Sequence, residues 1–146
     1  MKTLALVMDI AGFMKEGVKS GHGKYTWPDG STYNGDYLDD HKHGKGTMTF
    51  ANGDIYTGSF VWGVIAGEGI YKYKSGDIYR GLFYKGQRDG KGMYHFAEHK
   101  CQFIGMFEAG VCALLYIQTA EMAQQHHTLV MAVSCRRVQR REMDPV

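Results

Sequence analysis

Four Gly-x-Gly pairs, Gly21/Gly23, Gly44/Gly46, Gly67/Gly69 and Gly90/Gly92, follow one another at a constant step of 23 residues. Aromatic residues keep the same step at Trp27, Phe50, Tyr73 and Phe96. So do Tyr33, Tyr56 and Tyr79, and the glycines Gly35, Gly58 and Gly81. One extra residue enters near His99, after which the series resumes one place late at Phe103 and Gly105. A fixed period of this length marks a chain built from stacked copies of one supersecondary unit, each too small to bury a core alone.

Within a unit the pattern is that of a hairpin. From Gly21 to Trp27, small and aromatic residues (Gly21, Gly23, Tyr25, Trp27) alternate with polar ones (His22, Lys24, Thr26), the period of two that gives a strand one apolar face. Pro28-Asp29-Gly30 follows, with Ala51-Asn52-Gly53 and Lys74-Ser75-Gly76 in its place in later units. Asp-Gly and Asn-Gly favour tight turns because these residues accept positive φ. A second strand puts Tyr33, Gly35 and Tyr37 on one face and Thr32, Asn34 and Asp36 on the other. The pattern predicts strands near 22–27, 32–37, 45–50, 55–60, 68–73, 78–83, 91–96 and 102–107, with a turn through residues 39–43 leading to the next unit. The fourth turn carries His99 where the others have glycine, so a wider loop is expected there. The glycines share the face of the large rings, which suits rings lying over bare backbone and bulges in the strands. A phosphate-cradling loop does not fit, because Gly23-Lys24, Gly44-Lys45 and Gly90-Lys91 each lack the earlier glycine of GxxxxGK[ST].

Composition narrows the function. With 20 Gly, 10 Tyr and 7 Phe against 2 Pro, the 146-residue chain has more apolar ring area than a disordered chain carries, and its residue choice favours strands. A net charge of +2 argues against gripping nucleic-acid phosphates by charge alone, and no nucleic-acid partner is expected. Cys101, Cys112 and Cys135 are odd in number and widely spaced. They read as reduced thiols of an intracellular protein and suggest neither a disulfide framework nor a zinc site. The apolar run Leu4 to Met8 is too short for a signal-peptide core, and no stretch is long enough for a transmembrane helix, so a cytoplasmic location is expected.

The stretch Gly44-Lys-Gly-Thr-Met-Thr-Phe-Ala-Asn-Gly-Asp-Ile-Tyr-Thr-Gly-Ser-Phe60 resembles a MORN repeat (membrane occupation and recognition nexus), as do Gly21 to Tyr37 and Gly67 to Phe83. The resemblance covers about residues 21–108. It implies an all-β fold: an elongated, twisted single antiparallel sheet of tandem hairpins. Residues 1–20 would be a lead-in segment with a degenerate half repeat around Gly12. Residues 21–110 would hold four repeats, and residues 111–146 a non-repeat cap or tail. By the same resemblance the chain is a non-enzymatic scaffold in a cytoskeletal assembly, above all a ciliary or flagellar axoneme of the radial-spoke kind. It would bind an amphipathic helix or extended peptide of a larger complex, and members of the family also form dimers.

The rings expected to carry partner binding are Tyr25, Trp27, Tyr33, Tyr37, Phe50, Tyr56, Phe60, Tyr71, Tyr73, Tyr79, Phe83, Tyr94, Phe96, Phe103 and Phe107. A single sheet has no second layer to cover such a stripe. Rings at strand ends are expected in the core, and those on the concave floor in contact with a ligand. The alternative function is a phosphoinositide or anionic-membrane module, since such arrays also occur beside phosphoinositide kinase domains. Lys24, Lys45, Lys72, Arg80 and Lys91 lie on the polar face, interrupted by Asp36 and Glu68. Each basic residue adds only about 1 kcal/mol of membrane attraction.

The repeat pattern stops at Val111. Beyond it, Thr119 can cap a helix with Met122, His126, Leu129, Val130 and Val133 on one stripe, to cover the last hairpin or meet a partner. Arg136, Arg137, Arg140 and Arg141 form either a solvated tail or a contact for tubulin or another acidic surface. The seven histidines supply no metal set: His41-Lys42-His43 stands without a third ligand at useful spacing. No catalytic residue and no cofactor are expected, because no unit breaks its own pattern to gather Ser, His and Asp. The nearest break, around His95, Glu98, His99 and Cys101, reads as a slipped turn.

Overall fold

The computed structural model describes residues 14–98 and 100–116. Gly12, His99, the candidate helix from Thr119 and the four arginines of 136–141 lie outside them. The chain is all-β. A small hairpin of β1 (Met14–Lys15) and β2 (Val18–Lys19) precedes β3 (Gly21–Thr26), β4 (Thr32–Leu38), β5 (His41–Thr49), β6 (Ile55–Val61), β7 (Val64–Lys72), β8 (Ile78–Tyr84), β9 (Gln87–Phe96), β10 (Cys101–Glu108) and β11 (Val111–Tyr116). Strands β3 to β11 form one open antiparallel sheet in strict chain order, each pairing with its sequence neighbours.

One expectation needs correction. The stretch 39–43 is not all turn. Asp39 and Asp40 make the reversal alone, at φ 46° and 66°, and β5 starts at His41. Asp tolerates the left-handed conformation that a two-residue hairpin turn demands at both positions. Trp62-Gly63, Lys85-Gly86 and Ala109-Gly110 repeat the geometry. The strands β5, β7 and β9 therefore begin earlier than their Gly-x-Gly pairs. Past the last repeat the sheet gains one more strand: β11 pairs with β10, Phe107 opposite Cys112.

The two glycines of each Gly-x-Gly do different work. Gly44 has φ +69° and sits where the β4–β5 register shifts between Gly35 and Tyr37, so it forms a bulge. Gly46 lies opposite Gly35 on one side and Gly58 on the other, and the pairing continues through Gly69, Gly81 and Gly92 to Gly105. A row of glycines thus crosses every strand from β3 to β10. Tyr33 lies over it. A Cβ built on Gly46 would stand 2.5 Å from the Tyr33 ring, and one on Gly69 would collide with the Tyr56 hydroxyl. Each of these tyrosines donates its hydroxyl to a carbonyl three residues on: Tyr33 to Asp36, Tyr56 to Ser59 and Tyr79 to Leu82, at 2.9–3.0 Å.

Among the described residues the rings complete a core without a second layer. Tyr37, Tyr33, Phe60, Tyr56, Phe83, Tyr79 and Phe107 meet edge to face in that order, centroids 4.9–5.2 Å apart and planes at 80–87°. This geometry sets positive ring edges on negative faces. A second row runs from Phe50 through Tyr71, Tyr73 and Tyr94 to Phe103, which stacks on Phe107 of the first row. The hairpins are also tied at both ends. Asp54 accepts from Tyr71 Oη at 2.9 Å and Lys74 N at 2.8 Å, and Asp77 from Tyr94 Oη at 3.0 Å and Ala97 N at 2.9 Å. At the opposite edge the amides of Gly63, Gly86 and Gly110 donate to the carbonyls of Lys42, Ile65 and Arg88.

Candidate functional site

The aromatic face is largely filled by itself. Of the fifteen rings singled out in the sequence, Tyr33, Tyr37, Tyr56, Phe60, Tyr71, Tyr79, Phe83, Tyr94, Phe96, Phe103 and Phe107 are buried, with Tyr33, Tyr56 and Tyr79 at 0% exposure. The half-buried ones are Tyr25, Trp27, Phe50 and Tyr73. Rings near strand ends fill the core, and those just beyond the strands are half-buried. Tyr33, Tyr56 and Tyr79, each second in its strand, and Phe60, Phe83 and Phe107, each next to last, are buried on glycine and on one another, whereas Trp27, Phe50 and Tyr73 stand past the ladder beside the turns. Burial pushes the Tyr56 phenol up to about 12, since its anion would be desolvated.

Cations share this face, which the sequence reading missed. Lys19, Lys42, Ile65 and Arg88 keep the 23-residue step, and the last three pair across the ladder with Tyr37, Phe60 and Phe83. Lys42 Nζ stands 5.4 Å from the Trp27 centroid and 5.6 Å from Phe60, and the Arg88 guanidinium 5.2–5.6 Å from Tyr79, Tyr94 and Phe107. These are cation–π distances. Burial holds the Lys42 ammonium below its ordinary pKa. The signal was the shared period, obscured by reading residue 42 as turn.

The opposite face carries the open surface. A trough of about 880 Å³ runs across the strands there, its floor the backbone of Gly46, Gly58, Gly69 and Gly81, its sides Lys45, Thr47, Thr57, Glu68, Ile70, Arg80, Leu82 and Lys91. Among the described residues, Leu38, Val61, Trp62, Val64, Leu82, Tyr84, Met106 and Val111 are the exposed large hydrophobics. By strand alternation seven of the eight lie on this face, and Trp62 is in the adjoining turn. They gather toward the edge of the two-residue turns. Trp62, 53% exposed, rests its ring against His41 and His43, 5.7 and 5.3 Å between centroids. The face expected to be polar is therefore amphipathic, a property concealed because Leu38, Val61 and Tyr84 fall at strand ends.

Charge on this face is mixed. His22 and Asp36 pair at 3.0 Å, which holds the Asp36 carboxyl below the usual carboxylate range. The side-chain cations of Lys45, Arg80 and Lys91 have no carboxylate oxygen within 4.0 Å among the described residues; Lys45 Nζ donates to Ser59 Oγ at 2.7 Å, and the Lys45 amide to Asp36 Oδ2 at 3.3 Å. Among those residues no three His, Cys, Asp or Glu side chains gather as a metal set. The arrangement offers apolar side chains, cations and exposed backbone, which is the equipment of a binding surface.

No curated protein matches the chain. The family described as MORN repeat matches residues 11–32, 33–55, 56–78 and 79–99 in tandem. In that frame three of the units open at Tyr33, Tyr56 and Tyr79, the tyrosines that cover the glycine row. MORN repeats are generally interaction modules for proteins or membranes, and proteins built of them are generally non-catalytic. With more than half of its residues in four such copies, the chain belongs to the MORN-repeat family.

Proposed function

We propose that this chain is a non-catalytic scaffold that holds other proteins on the face of the sheet opposite its rings. One observation carries the reading: the aromatic face is consumed as core, while the exposed large hydrophobics gather on the other face. Exposed apolar surface of this kind marks an interaction site. The half-buried rings Trp27, Phe50 and Tyr73 extend the contact at the turn edge of the aromatic face. A cytoskeletal setting, with the axoneme of a cilium or flagellum first, follows from family resemblance. The test is affinity capture from ciliated cells with the intact chain and with Val61→Ser/Tyr84→Ser. Partners retained by the first and lost by the second, with equal thermal stability, are the expected result. Partners unaffected by the change would move the site elsewhere.

A second reading, attachment to an anionic membrane, draws on Lys45, Arg80 and Lys91 along the trough. Three cations at about 1 kcal/mol each give weak, salt-sensitive binding. Vesicle co-sedimentation at physiological salt decides it.

A further inference from the structure

We infer, resting on the scaffold reading above, that the partner is an acidic amphipathic helix crossing the strands of the trough face and presenting one apolar residue per heptad to each hairpin. The spacing comes from the register. Leu38, Val61 and Tyr84 occupy the same place on β4, β6 and β8, one full hairpin apart, and all three are exposed. Two strands at ~4.8 Å advance ~9.6 Å along the array. Seven residues of α-helix rise ~10.5 Å. A helix lying across the strands thus brings a new apolar side chain to each hairpin at every heptad, drifting by only ~1 Å per unit. An extended peptide, at ~3.3 Å per residue, would meet successive hairpins about every three residues, and its alternation would turn each second contact away from the sheet.

The charge comes from the row beside this stripe. Lys45, Glu68 and Lys91 hold the same place on β5, β7 and β9, so cations flank one carboxylate along this row, and Arg80 on β8 adds a third cation to the same trough. Cations that lack a carboxylate partner among the described residues, next to an apolar row, are complemented by Glu or Asp on the flank of the helix. Backbone forms the trough floor along the glycine row, so the helix meets side chains only at its two margins.

The probes are synthetic helical peptides of about 21 residues, three heptads. One carries Leu at every seventh position with Glu beside it. A second moves the Leu step to five, and a third replaces Glu by Lys. The readout is Trp62 emission in full-length Trp27→Phe protein, since the chain has two tryptophans and Trp62 stands beside Val61 on the exposed edge. The first peptide should bind saturably and shift Trp62 emission to the blue. The other two should bind at least about tenfold more weakly. Tyr84→Ser should weaken the first peptide by a similar factor, and Lys45→Glu with Lys91→Glu should reverse the preference between Glu and Lys peptides. Equal binding by the five-step peptide or by the Lys peptide would overturn the inference. So would a Trp62 shift produced by anionic vesicles and not by peptide. Trp62 shielded from acrylamide before any peptide is added would overturn it as well: shielding that falls on dilution assigns the face to a second copy, and concentration-independent shielding assigns it to the chain's own segment 119–133. If native partners are lost with Val61→Ser/Tyr84→Ser while no peptide binds, the helix falls and the scaffold reading stands.

Discussion

Along the glycine row from Gly35 to Gly92 a tyrosine ring occupies the volume that a side chain there would need. The contact between Tyr33 and Gly46 leaves no room for a Cβ, and neither does that between Tyr56 and Gly69. Gly46→Val or Gly69→Val must therefore lift the ring off the sheet and break its hydrogen bond to the carbonyl beyond. The expected loss is about 2–3 kcal/mol, read as a fall in the denaturant midpoint; wild-type melts would show that the rings have space to move. The same burial makes the fold sensitive to alkali. Tyr37 and Tyr56 are raised from 10.0 to about 12 by desolvation. Folded values above the unfolded one mean that this stability is complete below pH 10 and is lost as the pH rises through 12. Unfolding and tyrosinate absorbance should rise together in that window, and a gradual titration of an intact fold at the ordinary phenol value would contradict it. The glycines and rings were legible as a repeat, including their closeness. Their burial was not, because period two tells which face a ring occupies but not what lies on top of it.

An element in this chain is a hairpin plus the contacts that bind it to the next one. Asp54 and Asp77 reach from one hairpin turn to the following one, where each carboxylate takes a phenol and a backbone amide. Ser31 holds the matching place in the first hairpin, and there Asp29 bonds Ser31 within its own turn. The carboxylate clamp therefore starts with the second hairpin. Asp77→Ala leaves Tyr94 Oη and Ala97 N without that acceptor, and about 1–3 kcal/mol should be lost, with faster hydrogen exchange at Ala97 than at Tyr73. Uniform acceleration across all turns would mean that the clamp is not local. Strand order and turn glycines were plain in the sequence, since Asn-Gly and Ser-Gly turns carry their own chemistry. The early start of β5 was not. Asp39-Asp40-His41-Lys42-His43 reads as a polar loop, and only the tight Asp39-Asp40 reversal places Lys42 in a strand and over the rings.

The described residues form a line of units with no second layer among them, so cohesion depends on how far one unit feels the next. In repeat arrays stability is a sum of unit and nearest-neighbour contributions, and cooperativity fails where a junction is weak. Here the junction is a ring. Phe83 touches Tyr56 of the preceding unit at 5.1 Å and Tyr79 of its own at 5.2 Å, and is 6% exposed. Phe83→Ala removes about 3–5 kcal/mol at that point and interrupts the edge-to-face series in the middle of the sheet. Both tryptophans, Trp27 and Trp62, precede it in the chain, so their fluorescence follows the N-terminal half while circular dichroism follows every strand. In the wild-type chain the two signals should trace one transition, because the series from Tyr37 to Phe107 has no gap. In Phe83→Ala they should separate, with circular dichroism losing amplitude at lower denaturant as the strands beyond β8 come apart first. Coincident curves at a lower midpoint would mean that the ladder hydrogen bonds between β7 and β8 carry the coupling without the rings.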